Sequence, residues 1–249
     1  KWNQYSAGKE NFEGGLAMQI LSAKGDYFIS TGMGDDMSAS HKFRTASVTK
    51  TFTAAGIMLL SELGDLDIDN KITDKIPGKD DPYVPDSEEY DIPNKDQITI
   101  RMVLMHRAGI FDLSNQDITD NAQSHDKPYV NKNYLAFVEE SEPEHQFTFD
   151  ELFGVISENR QVGFEGAPGS QYKYSDTGYC LLALIIERVT GKSYEEFITE
   201  ELIVPNSLAD TTLPWRGDDT ALPDPFLKGL LWTDNQIQDV TISNMSPYV

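Results

Sequence analysis

The stretch from Phe43 to Gly64, FRTASVTKTFTAAGIMLLSELG, constrains the fold more than any other part of the chain. From Phe52 onward, Phe52, Ala54, Ala55, Gly56, Ile57, Met58, Leu59, Leu60 and Leu63 leave almost no polar face. A segment that is apolar all round and too short to span a bilayer comfortably is expected to be a helix buried in a large domain. Thr45 or Ser47 is placed to cap its start, and Gly64 stands where a helix C-terminus takes a left-handed residue. Ser47 and Lys50 then share the first turn, three residues apart and on one face.

A serine hydroxyl is a poor nucleophile until a base within hydrogen-bond reach takes its proton. Lysine can be that base if its pKa falls, and burial disfavours its charged form. Lys50 lies just before the apolar run, where such a shift is expected. The helix N-terminus would add backbone N–H groups and partial positive charge near an oxyanion at Ser47. Spacing alone does not select this pair, because Ser-x-x-Lys also occurs at Ser6/Lys9, Ser124/Lys127 and Ser170/Lys173. The first of these lies in a polar leader, Pro128 biases Lys127 away from helix, and Pro168-Gly169 precedes the last as a turn signal. Only Ser47/Lys50 opens an apolar helix. The alternative left open is a plain N-cap serine beside a snorkelling lysine.

The 249 residues suffice for one large domain or two small ones with a sizeable core. With 41 acidic and 20 basic side chains the formal charge is −21, which argues against nucleic-acid binding and against adsorption to anionic lipid. The single cysteine, Cys180, sits in the apolar run GYCLLALII, which excludes an internal disulfide and points to a small core residue. No stretch reaches membrane-spanning length. The lack of an initial methionine is read as a leader removed.

Leu16 to Ile20 and Tyr27 to Ser30 flank Ala23-Lys24-Gly25-Asp26 and read as a β-hairpin. Asp65, Asp67 and Asp69 alternate as calcium ligands do, but Asn70 and Ile76 stand where an EF-hand needs Gly and Glu, so a polar turn is expected. Pro77 to Asp96 is an acidic, turn-rich loop. A short helix over Ile98–Met105 ends at His106, a residue expected to tie down a loop more than to act as a base. Residues 111–145 are polar and loop-rich, the segment expected to vary most in shape. Thr148 and Glu151 fit a capping box for a helix through Asn159, a second buried helix runs from Thr177 to Thr190, and Ser193/Glu196 caps another that ends before Pro205. From Leu213 onward the chain is assigned mostly to loops.

Three stretches, FRTASVTKTFTAAGIMLLSELGDLDID, ITIRMVLMHRAGI and PGSQYKYSDTGYCLLALIIERVTGKSYEEFI, resemble the serine penicillin-recognising enzymes, in particular the DD-peptidase, class C β-lactamase and related esterase group. They cover about half of the chain, in the right order and at helix starts. The resemblance implies an α/β (α+β) β-lactamase/transpeptidase-like fold, an antiparallel sheet flanked by helices plus an all-helical region. Residues 1–45 would supply N-terminal strands, 46–213 the helical region with the first two motifs, and 214–249 an extended, loop-rich segment.

The resemblance further implies that Ser47 is acylated, that Lys50 exchanges its proton, and that Tyr174 opens the second motif with its phenol near the nucleophile. That motif is usually Tyr-x-Asn; here its third position is Asp176, which adds negative charge beside Lys50 and cannot donate as an amide can. Tyr129-Val-Asn131 spells the motif literally but lies in the polar run KPYVNKNY. The third motif, Lys-Thr-Gly or His-x-Gly on a strand, has no match.

The expected activity is acyl-enzyme hydrolysis of D-amino-acid peptides, β-lactams or small esters, with no cofactor or metal. A related protein that only holds or senses ligand is the alternative. The resemblance also implies an extracytoplasmic location and a sheet left incomplete here. Its missing strands would come from a second polypeptide or a C-terminal remainder, because a lone hairpin is marginal in water.

Overall fold

The computed structural model describes residues 15–33, 35, 37–142, 145–214, 222–233 and 236–239, so the Ser6/Lys9 pair lies outside the described residues. The chain divides into two units, Lys1–Arg44 with Thr220–Ser243, and Thr45–Asp219 with Asn244–Val249.

In the first unit, β1 (Leu16–Ser22) and β2 (Gly25–Thr31) form the expected antiparallel hairpin, Leu16 opposite Thr31 and Ser22 opposite Gly25. Ser22 closes its turn, Oγ accepting from the Lys24 N–H and donating to the Gly25 carbonyl. The register sets Met18 against Ile29 and Ile20 against Tyr27, so alternation gathers Leu16, Met18, Ile20, Tyr27 and Ile29 on one face, all exposed. The loop reading of the segment after Leu213 needs correction. Leu230–Thr233 (β3) and Gln236–Asp239 (β4) pair antiparallel, Leu230 opposite Asp239. Each run is four residues long, and short strands leave too little alternation to be read in sequence. Among the described residues the two hairpins are separate two-stranded sheets, and the sheet is not closed.

The second unit is helical. A 3₁₀ turn over Ala46–Val48 leads into α1 (Thr49–Leu63). Then follow α2 (Ile100–Leu104), α3 (Tyr134–Ser141), α4 (Phe149–Asn159), α5 (Asp176–Thr190) and α6 (Tyr194–Ile198). The caps follow the sequence signals. Thr99, Thr148 and Ser175 each accept from the backbone N–H three residues on, and Ser193 and Glu196 form a complete capping box. Thr148 forms only half of one, because the Glu151 carboxylate turns to Tyr134 and His145 instead. Gly64 and Gly191 end α1 and α5 at φ +81° and +75°.

The fully buried helix is α5, not α1. Twelve of the fifteen α5 residues are buried. On α1 only Lys50, Thr53, Gly56, Ile57 and Leu60 are, while Met58 and Leu63 are exposed. These positions form one helical stripe, so apolar composition overstated how much of α1 is covered. Thr53 Oγ1 meets the Tyr194 phenol at 2.5 Å, locking α1 to α6.

Gly56 makes that approach possible. A Cβ there would stand 3.0 Å from Phe197, 3.2 Å from Ile198 and 3.3 Å from Ile186, all buried. Alanine would gain about 1 kcal/mol of helix propensity but overpack three immobile side chains at about 1–3 kcal/mol. Gly56→Ala is therefore expected to lower the denaturant midpoint with an unchanged m-value. A raised midpoint would show that α1 and α6 can part without cost.

Candidate active site

Ser47 sits on the 3₁₀ turn before α1, one position after Ala46, whose φ is +45°. An alanine in the left-handed region is strained, and such strain is found where a segment has to be held in one geometry. Neither Thr45 nor Ser47 caps α1 with its side chain, contrary to the sequence reading. Ser47 is exposed, and its Oγ accepts from the Tyr174 phenol at 2.8 Å and from Lys50 Nζ at 3.3 Å. The second motif thus meets the first through Tyr174. Tyr129 lies elsewhere, its phenol accepting from Asn159 Nδ2 at 3.2 Å.

Lys50 is buried, and its Nζ lies 2.5 Å from Asp176 Oδ1, 5.1 Å from the centre of the Tyr174 ring and 5.7 Å from that of Tyr179. Burial, the largest influence on the amine, acts to lower its pKa. The hydrogen bonds and charges of Asp176 and Tyr174 together outweigh it and raise the pKa above the ordinary 10.5. This corrects the sequence expectation of a depressed lysine. An apolar helix predicts desolvation, but the Asp176 carboxylate at the start of α5 supplies the counter-charge that reverses it.

Two further residues complete the cluster. Asp112, 1% exposed, and Asn115 lie in the segment expected to vary in shape. Instead, Phe111, Leu113 and Ile118 are buried there, and the Leu113 N–H donates to Thr177 Oγ1 at 3.0 Å. Asn115 Nδ2 donates to Asp176 Oδ2 at 2.7 Å and to Asp112 Oδ2 at 2.9 Å, so both amide protons are spent on carboxylates. Burial pushes the Asp112 carboxyl up, the Asn115 amide opposes the rise, and the Asp176 charge adds to it. Asn115 thus places an amide behind Asp176, with both of its protons committed to carboxylates. Only the Asp-x-x-Asn spacing at 112 and 115 hinted at it in sequence.

The other Ser-x-x-Lys matches among the described residues serve turns. Ser124 Oγ donates to the Thr119 carbonyl and Ser170 Oγ to the Ala167 carbonyl, each at 2.6 Å. Asp67 accepts from the Asp69 N–H at 2.9 Å, and the Arg101 guanidinium takes both Asp69 oxygens at 2.5 and 2.8 Å, so the aspartate rhythm is a braced polar turn. Among the described residues no group of acidic, histidine or cysteine side chains is placed to hold a metal ion.

A serine on a strained turn, a buried lysine and a tyrosine brought from a second helix start make up a serine-lysine-tyrosine cluster. The Beta-lactamase family model matches residues 13–222, and the chain belongs to that family. Penicillin-binding protein 4* of Bacillus subtilis (strain 168) is 32% identical over 169 residues, 68% of this chain and 30% of that protein. A D-stereospecific amidohydrolase from Streptomyces sp. superposes with a TM-score of 0.68 at 24% identity, covering 90% of this chain and 58% of that one. A D-amino acid amidase from Ochrobactrum anthropi SV3, complexed with L-phenylalanine, gives 0.61 at 26% identity, covering 92% and 56%. The chain therefore matches about a third of the length of its curated relative and under three-fifths of these two structures.

Proposed function

We propose that Ser47 is the nucleophile of a serine hydrolase that forms an acyl-enzyme on D-amino-acid peptides, β-lactams or small esters. The observation that carries this reading is the convergence of Lys50 Nζ and the Tyr174 phenol on Ser47 Oγ. In the acylation step neutral Lys50 takes the Ser47 proton and Oγ bonds to the substrate carbonyl carbon. The leaving group then departs with a proton delivered through Lys50 or Tyr174, and water later hydrolyses the ester. Asp176 holds Lys50 as an ammonium at neutral pH, so acylation rises with pH until that amine titrates. Penicillin-type and D-amino-acid amide substrates are supported by the relatives' names, whereas esters and an extracytoplasmic setting, periplasmic or secreted, rest on the family resemblance. Among the described residues no helix is long and apolar enough to cross a membrane.

Completion of the β1–β2 sheet by strands from a second polypeptide or a C-terminal remainder belongs to the same proposal, supported by its exposed apolar face. The Lys50–Asp176 pair also favours a second reading, a protein that acylates slowly and holds its ligand. Intact mass followed over time after a fluorophosphonate and after a β-lactam separates the two. A β-lactam adduct that forms and decays with product release supports the hydrolase, and a lasting stoichiometric adduct supports the binding protein. No adduct from either probe would reject both.

A further inference from the structure

His106 touches Tyr174 and both of its chain neighbours. Its carbonyl accepts from the Lys173 N–H at 2.8 Å. Its ring stacks on the Tyr174 ring, centroids 4.5 Å apart and planes 30° from parallel. Its Nδ1 accepts from the Ser175 N–H at 3.2 Å. The residue itself is held at φ +54° just beyond α2, a conformation that few side chains adopt. We infer that His106 is the positioning residue of Tyr174, gripping residues 173, 174 and 175 in turn and so fixing where the phenol meets Ser47 Oγ. This rests on the acyl-enzyme reading, because it assigns His106 its importance through Tyr174.

The contact with Ser175 fixes the tautomer. An Nδ1 that accepts a hydrogen bond carries no proton, so the ring is neutral with its hydrogen on Nε2. Protonation would set N–H against N–H and release Ser175, the residue that also caps α5 through its Oγ. The groups facing the ring from the packed elements are Lys50 of α1, Asp176 and Tyr179 of α5, and Tyr172 and Tyr174 of the segment before α5. Flanking Arg107 is turned away, its guanidinium spent on the Gly169 carbonyl at 2.6 and 3.0 Å. Burial first, and the Lys50 charge second, lower the His106 pKa from 6.5, while Asp176 opposes them. The neutral clamp is thereby kept through the neutral range and opens in acid.

Two substitutions divide the grip. His106→Asn keeps an acceptor at the position of Nδ1, tolerates the left-handed backbone and does not titrate, but loses the stack. His106→Phe keeps a ring and loses the acceptor. Acylation of Ser47 by a fluorophosphonate would be followed from pH 4.5 to 9, with the 15N shift of His106 Nδ1 and the 13C signals of the Tyr174 ring recorded over the same range.

Lys50 alone makes wild-type acylation fall about tenfold per pH unit below its own titration, and the fall is expected to steepen to about 10²-fold per unit in the range where Nδ1 titrates, as the Tyr174 signals shift. His106→Asn should abolish that steepening, leaving the tenfold slope of Lys50, at a cost of about tenfold at pH 7, and His106→Phe should cost about 10²-fold, the penalty of a misplaced reacting group. Wild-type rate and profile in both variants, or a steepening that persists in His106→Asn, would overturn the assignment. Failure of the wild type to label at any pH would reject the acyl-enzyme reading instead. The clamp would then stand or fall on whether the Tyr174 signals follow the His106 titration.

Discussion

Replacing Lys50 by alanine is expected to slow acylation of Ser47 by about 10²–10⁴-fold, the usual contribution of a positioned proton acceptor. It is also expected to cost about 3–5 kcal/mol of stability, because it strands the Asp176 carboxylate, 5% exposed, without its cation. The two losses have different origins, and a double-mutant cycle separates them. Lys50→Ala combined with Asp176→Asn removes both charges, so stability should return while the rate does not. A double variant that labels at the wild-type rate would show that Lys50 serves only as a counter-ion.

Asp176→Asn alone is expected to act in the opposite direction on rate. Burial is the largest influence on the Lys50 amine, and Asp176 is the chief influence that overcomes it. Without the carboxylate the amine loses protons at lower pH, and each unit of displacement makes about tenfold more neutral base at pH 7. Acylation near neutrality should rise by at least that factor, with the alkaline limb of the profile displaced to lower pH. The wild-type pairing also has a pH signature in stability. A folded pKa raised above 10.5 gives stabilisation that is complete below about pH 10.5 and is lost as pH rises through the higher folded value. Melts from pH 7 to 12 should show that alkaline loss in the wild type and not in Asp176→Asn, whose stability at pH 7 falls by about 1–3 kcal/mol. Slower acylation with unchanged stability would mean that the carboxylate itself moves the proton.

The parts of the site legible in the sequence were those encoded locally. Ser47 and Lys50 stand at the start of an apolar run, and Tyr174 and Asp176 at the start of another; the onset of the run marked the first, and the Ser175 cap also marks the second. Patterning alone does not bring these two starts together; only the family resemblance implied their meeting, which decides the charge of Lys50. Its apolar neighbours in sequence argue for a neutral amine, and one carboxylate from 126 residues further along reverses the argument. Asp112 and Asn115 were hidden for the same reason. Their polar segment reads as a surface loop until Leu113 and Thr177 fasten it to α5.

His106 was legible as a residue that ties down a loop, but not as the residue that faces Tyr174, since that depends on a left-handed backbone beyond α2. The burial of α1 was overread because composition records apolar side chains without saying how many neighbours exist to cover them. At the other end of the chain, β3 and β4 were underread because four-residue strands carry almost no period.

The central claim is that Ser47 is the residue that becomes acylated, and peptide mapping after labelling with a fluorophosphonate tests it most directly. One adduct per chain is expected, on the peptide that contains Ser47, absent in Ser47→Ala and strongly slowed in Lys50→Ala. An adduct on Ser124 or Ser170, or labelling that survives in Ser47→Ala, would contradict it.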